Sequence, residues 1–333
     1  MPERRPGSET LSDPFADRFG VDVPGGTLHV ARAGPPPEQA KSVVLAVHGV
    51  TASLMTWRTV ARQLAADSRT TVLAPDLRGR GRSATLPGPY GIASHVEDLL
   101  AVLDHVGAPR AVLVGHSLGA YVAARLDAEH PERVTGLVLL DGGLPLAAPD
   151  DPDGMVRTAV AQAVMRLGIT FESADAYVSA WHSHPAFAQA WNDDIEEYAR
   201  YDLIDDGHAV RCVASPEAVR ADSAEMVYDG VNRTALDRVR GEDLVHVLRA
   251  ERGLFDEHEH PVISAADLRT FAARHPQAHV QTVAGVNHYT LVMGDSPGPG
   301  KVVAAIEAAS SGASELPVGA APGVNRGSPG RRG

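Results

Sequence analysis

Residues 111–126 read AVLVGHSLGAYVAARL. The first five are continuously apolar, the pattern of a strand buried on both faces. The last nine carry Ala, Leu and Val at helical spacing. Ser117 sits at the junction, inside Gly115-His116-Ser117-Leu118-Gly119. That fits G-x-S-x-G, the pattern that puts a serine on a sharp strand-to-helix turn with its hydroxyl exposed. With three fixed positions the pattern is common by chance, so its surroundings must decide.

Outward from Ser117, short apolar runs alternate with helical patterns. Strands are predicted at 19–23, 28–33, 42–49 and 70–76 before it, and at 134–141, 243–250 and 279–285 after it. The first two flank Pro24-Gly25-Gly26-Thr27 and predict an opening β-hairpin. Helices are predicted at 53–66, 94–106, 118–130, 265–274 and 301–309. This order implies an α/β fold: a mainly parallel central sheet with helices on both faces. Residues 142–235 break the rhythm with helical patterns, few strand signals, and Tyr177, Trp181, Phe187, Trp191, Tyr198 and Tyr201. They are expected to form an α-helical insertion, its aromatics either lining a pocket or joining helices. The acidic run Asp193-Asp194-Ile195-Glu196-Glu197 is expected to be a solvated helix face.

The composition narrows the function. The chain has 333 residues and a formal charge of −12, which argues against a general nucleic-acid binder. Arg78-Gly79-Arg80-Gly81-Arg82 is the best local basic patch, expected to be a solvated loop. Cys212 is the one cysteine, so no intrachain disulfide and no cysteine metal cage form. Neither His182-Ser183-His184 nor His258-Glu259-His260 has a completing ligand at recognisable spacing, so no metal is expected. The N-terminus lacks the apolar core of a signal peptide, and no apolar run is long enough to span a bilayer. A soluble, cytoplasmic protein with no membrane or nucleic-acid partner is expected; oligomeric state is unreadable.

A serine hydroxyl is a poor nucleophile until a base takes its proton, and acyl transfer also needs donors for the developing oxyanion. In an open parallel sheet such groups converge at the carboxyl ends of the strands. His48-Gly49-Val50-Thr51 lies at one such end, where the glycine lets the chain turn. The backbone N–H groups of Val50 and Leu118 are the expected oxyanion donors. His48 is expected to be a hydrogen-bonded structural histidine.

The combination of His48-Gly49, Pro75-Asp76-Leu77-Arg78-Gly79-Arg80-Gly81-Arg82-Ser83, Gly115-His116-Ser117-Leu118-Gly119 and a late Asn287-His288 resembles the α/β-hydrolase superfamily. The resemblance implies that residues 15–141 and 236–311 form the hydrolase core in two parts, with 142–235 as the cap. Residues 1–14 and 312–333, rich in Pro, Gly, Ser and Arg with little periodic apolar content, are expected to be flexible tails. It places the catalytic base at His288, just beyond the last strand. The acid is expected in the loop after strand 243–250, at Asp256, with Glu251 and Glu257 nearby. Asp141, at the end of the preceding strand, is the alternative position used by some members. Asp76 is read as part of a structural turn.

Relatives that dehalogenate or open epoxides carry aspartate where this chain has Ser117. The resemblance therefore implies a cofactor-free serine hydrolase, esterase-like, acting on a carboxylic ester, lactone or thioester of a small apolar or aromatic molecule. Two alternatives stay open. One is carbon–carbon bond hydrolysis of a diketone-like substrate, although the glycine- and serine-rich extension after His-Gly common in those enzymes is replaced here by HGVTASLMTW. The other is a catalytically silent ligand-binding protein on the same fold.

Overall fold

A computed structural model describes residues 12–66, 69–144, 167–238 and 245–312. Most of the two expected tails, residues 145–166 of the expected cap, and the first two residues of the strand expected at 243–250 lie outside the described residues.

The strands are β1 (Asp17–Val23), β2 (Gly26–Ala33), β3 (Ser42–Val47), β4 (Thr70–Pro75), β5 (Ala111–His116), β6 (Val134–Leu140), β7 (Thr170–Phe171), β8 (Leu203–Asp205), β9 (Val210–Cys212), β10 (Val245–Ala250) and β11 (His279–Val283). Eight of them form one sheet in the order β1-β2-β4-β3-β5-β6-β10-β11. The β1–β2 hairpin joins antiparallel, and every pairing from β4 to β11 is parallel. This is the mainly parallel α/β sheet that the alternation of runs implied.

Side chains of a strand alternate between faces, and here each face has its own core. Val44, Val112, Val114 and Val138 face one side, with Val60 and Leu64 of α1 (Arg58–Ala65) and Val302 and Ile306 of α9 (Gly298–Gly312). Leu45, Leu113, Leu137 and Leu139 face the other. They meet α2 (Ile92–His105), α3 (Leu118–Glu129) and α8 (Ala265–Arg274). Burial on both faces is why these strands read as unbroken apolar runs.

Between β6 and β10, the described residues form α4 (Ala174–His182), α5 (Asp193–Tyr201), α6 (Pro216–Tyr228) and α7 (Gly230–Thr234). Ser173, Asn192 and Ser215 cap the first three, each accepting a backbone N–H from the first turn. Such caps contribute about 1 kcal/mol each. The segment also holds a three-stranded antiparallel sheet, β7-β9-β8, that the sequence did not signal. Its strands have two or three residues, too few to show a period.

Two expectations about charge are corrected. Arg78 and Arg80 are buried: Arg78 is held bidentately by Asp98 (2.6 and 2.7 Å), and Arg80 pairs with Asp222. Asp194 is also buried, and binds Arg58, Arg62 and Thr59. Arg80 and Asp194 thus sit in the contact between core and insertion, while Arg82 and Glu197 stay exposed as expected. No helix among the described residues is long and apolar enough to cross a membrane.

Candidate active site

The turn from β5 into α3 explains the residues around Ser117. A Cβ on Gly115 would fall 2.1 Å from the Gly119 carbonyl oxygen, and one on Gly119 would fall 2.1 Å from that of Val47. Both glycines are required because backbone meets backbone. The approach forces Ser117 to φ 55°, ψ −119°, a sparsely populated conformation that costs of order 1–3 kcal/mol. Its N–H is tied to Leu140 O at 2.9 Å. Among the described non-glycine residues, positive φ occurs at Ser117, Asp141 (46°) and Asp256 (69°). Aspartate tolerates this region with little strain, whereas serine does so less readily.

His288 lies on the loop after β11 and is almost fully buried. Its Nδ1–H donates to Asp141 Oδ2 at 2.7 Å, which leaves Nε2 as the lone-pair nitrogen of the neutral ring. Asp141 follows β6 directly. Its N–H bonds Leu248 O at 2.8 Å, and its other carboxylate oxygen accepts the Ala250 N–H at 3.2 Å. It is therefore fixed from β10 and reaches the loop that follows β11.

The expected pairing of His288 with Asp256 is corrected. Asp256 Oδ2 accepts from Arg252 at 3.0 Å and Oδ1 accepts Asn287 Nδ2–H at 2.8 Å, so it touches the residue beside His288 and not the imidazole. The loop after β10 turns outward and leaves Asp256 about one-third exposed. The neighbouring strand end supplies the buried carboxylate, so the imidazole partner is the residue named as the alternative acid.

His48, Gly49 and Val50 make the turn facing Ser117; a Cβ on Gly49 would lie 3.3 Å from Ser117 Cβ. His48 accepts Leu77 N–H on Nε2 at 3.0 Å and donates Nδ1–H to Gly49 O at 2.8 Å. Ala52 N–H bonds the same carbonyl at 3.2 Å. In a trans peptide the N–H points opposite to the C=O, so these bonds set the direction of the Val50 N–H. Burial pushes the His48 imidazole down to about 3, so it stays neutral and keeps both bonds near neutral pH. Leu118 opens α3, where helix geometry leaves its N–H without an intrahelical acceptor.

Ser117, His288, Gly49 and Val50 share one cavity of about 480 Å³. Tyr198, Ser223 and Met226 of the insertion line it, while Ile169, Leu254, Phe255 and Val262 form an apolar, largely exposed rim. Of the aromatics noted in the sequence, Tyr198 lines this cavity. Trp181 packs edge-on against Tyr177, Phe187 and Tyr198 and so joins helices.

Two contributors stand inside the quoted motifs, where the sequence reading assigned them no role of their own. His116, the variable position of the serine pattern, donates Nε2–H to His288 O at 2.9 Å, with the rings 4.5 Å apart. Burial, and then the neighbouring His288, hold its pKa well below the ordinary histidine value, so it steadies the His288 backbone as a neutral ring. Asn287 closes the same turn: its Oδ1 accepts the N–H groups of Tyr289 (3.1 Å) and Thr290 (3.0 Å), and its Nδ2 also reaches Ala186 O.

A strand-to-helix serine, a buried carboxylate–imidazole pair and a glycine turn at the carboxyl edge of a mostly parallel sheet define a class of protein. Residues 42–208 match the family model described as alpha/beta hydrolase fold, and the chain belongs to that family. Lipase LipV of Mycobacterium tuberculosis is 41% identical over 119 residues, which cover 36% of this chain and 43% of that protein. Epoxide hydrolase A of the same organism is 39% identical over 122 residues, covering 36% and 37%. The matches thus span less than half the length of these curated relatives. Among solved structures, E-2-(acetamidomethylene)succinate hydrolase superposes with a TM-score of 0.69 at 22% identity, covering 87% of this chain and 97% of that one. A thioesterase domain from the curacin biosynthetic pathway gives 0.68 at 18%, covering 87% and 99%. At such identities the likeness shows the fold.

Proposed function

We propose that this protein is a serine hydrolase with Ser117 as nucleophile, His288 as base and Asp141 as acid, acting on a carboxylic ester, lactone or thioester. The observation that carries the reading is the buried His288–Asp141 hydrogen bond in a site shared with the strained Ser117 turn. His288 Nε2 takes the Ser117 proton as Oγ attacks the substrate carbonyl. The Val50 and Leu118 N–H groups receive the oxyanion. Collapse expels the alcohol or thiol, which takes the proton from His288 and leaves an acyl-serine. Water, deprotonated by the same imidazole, then releases the acid. Asp141 holds the tautomer and stabilises the imidazolium.

Serine at the elbow favours this route over the epoxide opening that some relatives are named for, because acyl transfer is the chemistry that a serine, a base and two N–H donors support. The apolar cavity and rim favour a small apolar or aromatic substrate. In this reading the segment between β6 and β10 is the cap that closes over it.

Intact mass after treatment with a fluorophosphonate tests the reading. One adduct on the wild type, absent from Ser117→Ala, is expected. A folded wild type that takes no adduct overturns it.

A further inference from the structure

In a serine hydrolase built this way, oxyanion stabilisation at Val50 requires its N–H to stay aimed at the cavity. A role for Arg80 in holding that N–H rests on the same serine-hydrolase reading. His48 holds the peptide containing that N–H. The following peptide is held from a different direction: Arg80 donates Nε–H to Val50 O at 2.9 Å. Val50 is thereby clamped between two anchored carbonyls.

Arg80 is itself fully buried. Its Nη1 donates to Arg78 O at 3.0 Å, and its Nη2 lies 2.5 Å from Asp222 Oδ2. Asp222 belongs to α6 of the insertion and is also fully buried. The same carboxylate accepts His95 Nε2–H at 3.0 Å and Gly91 N–H at 2.8 Å, while Glu225, one turn on, accepts Ile92 N–H at 2.6 Å. Two acids of α6 thus bind the opening of α2, where free N–H groups and the helix dipole favour negative charge. This pins α6 to the core at Arg80. The next residue of α6, Ser223, and Met226 line the cavity.

We propose that Arg80 is a positioning residue for the oxyanion turn, set by Asp222, so that the substrate-facing helix α6 and the Val50 N–H move as one unit. The planar guanidinium suits this task. It offers divergent donors in a fixed plane to the carbonyls of Val50 and Arg78 while its charge faces the Asp222 carboxylate, which a lysine ammonium does not. A substrate that presses on Ser223 and Met226 therefore bears on the geometry of the donor that its own carbonyl will use.

Arg80→Lys keeps the charge facing Asp222 and loses the fork; Asp222→Asn keeps the shape and loses the charge. Each is measured in the full chain with p-nitrophenyl butyrate and a fluorophosphonate. Arg80→Lys is expected to lower kcat about tenfold, to leave KM within about threefold, and to slow Ser117 labelling in proportion. Asp222→Asn is expected to show the same split more weakly.

The carbonyl is read directly. Val-Thr occurs at 50–51 and 134–135 and nowhere else in the chain, so [13C′]Val/[15N]Thr labelling gives two signals. Arg80→Lys is expected to move the Val50 carbonyl and leave that of Val134, in β6, unchanged. An unmoved Val50 carbonyl overturns the proposal, as does a loss of activity matched by an equal loss of folded protein. A wild type unreactive at Ser117 overturns the hydrolase reading and the catalytic role of Arg80 with it. That failure is distinguishable, because the carbonyl signal is recorded without turnover.

Discussion

His288 Nδ1 lies 2.7 Å from Asp141 Oδ2, while Asp256, six residues past the end of β10, bonds the amide of Asn287 instead. Two aspartates thus reach adjacent residues of one loop, and only one touches the imidazole. Asp141→Asn is expected to lower kcat/KM for an activated ester by about 10³–10⁴-fold, because the amide favours the wrong imidazole tautomer. Asp256→Asn is expected to stay within a few-fold, since its ion pair with Arg252 is partly exposed. Equal losses in the two variants would contradict the assignment.

Asp76 makes the fold sensitive to pH. Burial raises its carboxyl to about 6, although Leu54 N–H, Tyr201 O–H and Arg82 N–H all donate to it. A carboxyl raised in the folded state holds its proton more tightly there than in the unfolded chain. Its stabilising contribution is complete below about 4 and is lost as pH rises through about 6. Urea titrations across this window should show a downward slope with pH for the wild type that Asp76→Asn flattens, whatever the variant costs overall. An identical slope in both proteins would assign the dependence to other groups.

Asp222 titrates in the opposite sense. Burial alone would raise it, but the charges of His95 and Arg80 outweigh that and hold it down at about 2. Its contribution is present above about 4 and is lost as pH falls through about 2. Acid unfolding followed by circular dichroism should therefore lose a component in Asp222→Asn.

Asp194 ties the insertion to the core by binding Arg58 and Arg62. Asp194→Ala leaves the buried Arg58 with Asp13, which is more than one-third exposed, as its remaining carboxylate partner. A loss of about 2–3 kcal/mol is expected from chemical denaturation. A change below about 0.5 kcal/mol would mean that Asp13 compensates fully.

Phe255 is an apolar side chain at the cavity rim, stacked on His184 and more than half exposed. Phe255→Ala is expected to raise KM for esters with long acyl chains several-fold, to leave acetyl esters unaffected, and to change stability by less than about 0.5 kcal/mol. A uniform effect across chain lengths would remove Phe255 from substrate contact.

The sheet and the serine turn are legible in the chain alone. Strands buried on both faces must be continuously apolar, and a backbone approach as close as that at Gly115 and Gly119 admits no side chain, so both features are written locally. His288 was legible as the last histidine, on the loop beyond the last strand. Which carboxylate meets it was settled only by the folding of distant segments onto one another. Asp141 and Asp256 both follow strands, and their roles depend on how far each loop turns outward, which no local pattern records. The same holds for Arg80 and Asp194, read as solvated charges in the chain and buried in the fold. A charge is buried when an opposite charge meets it, and here the partners lie more than 130 residues away, across the gap between core and insertion.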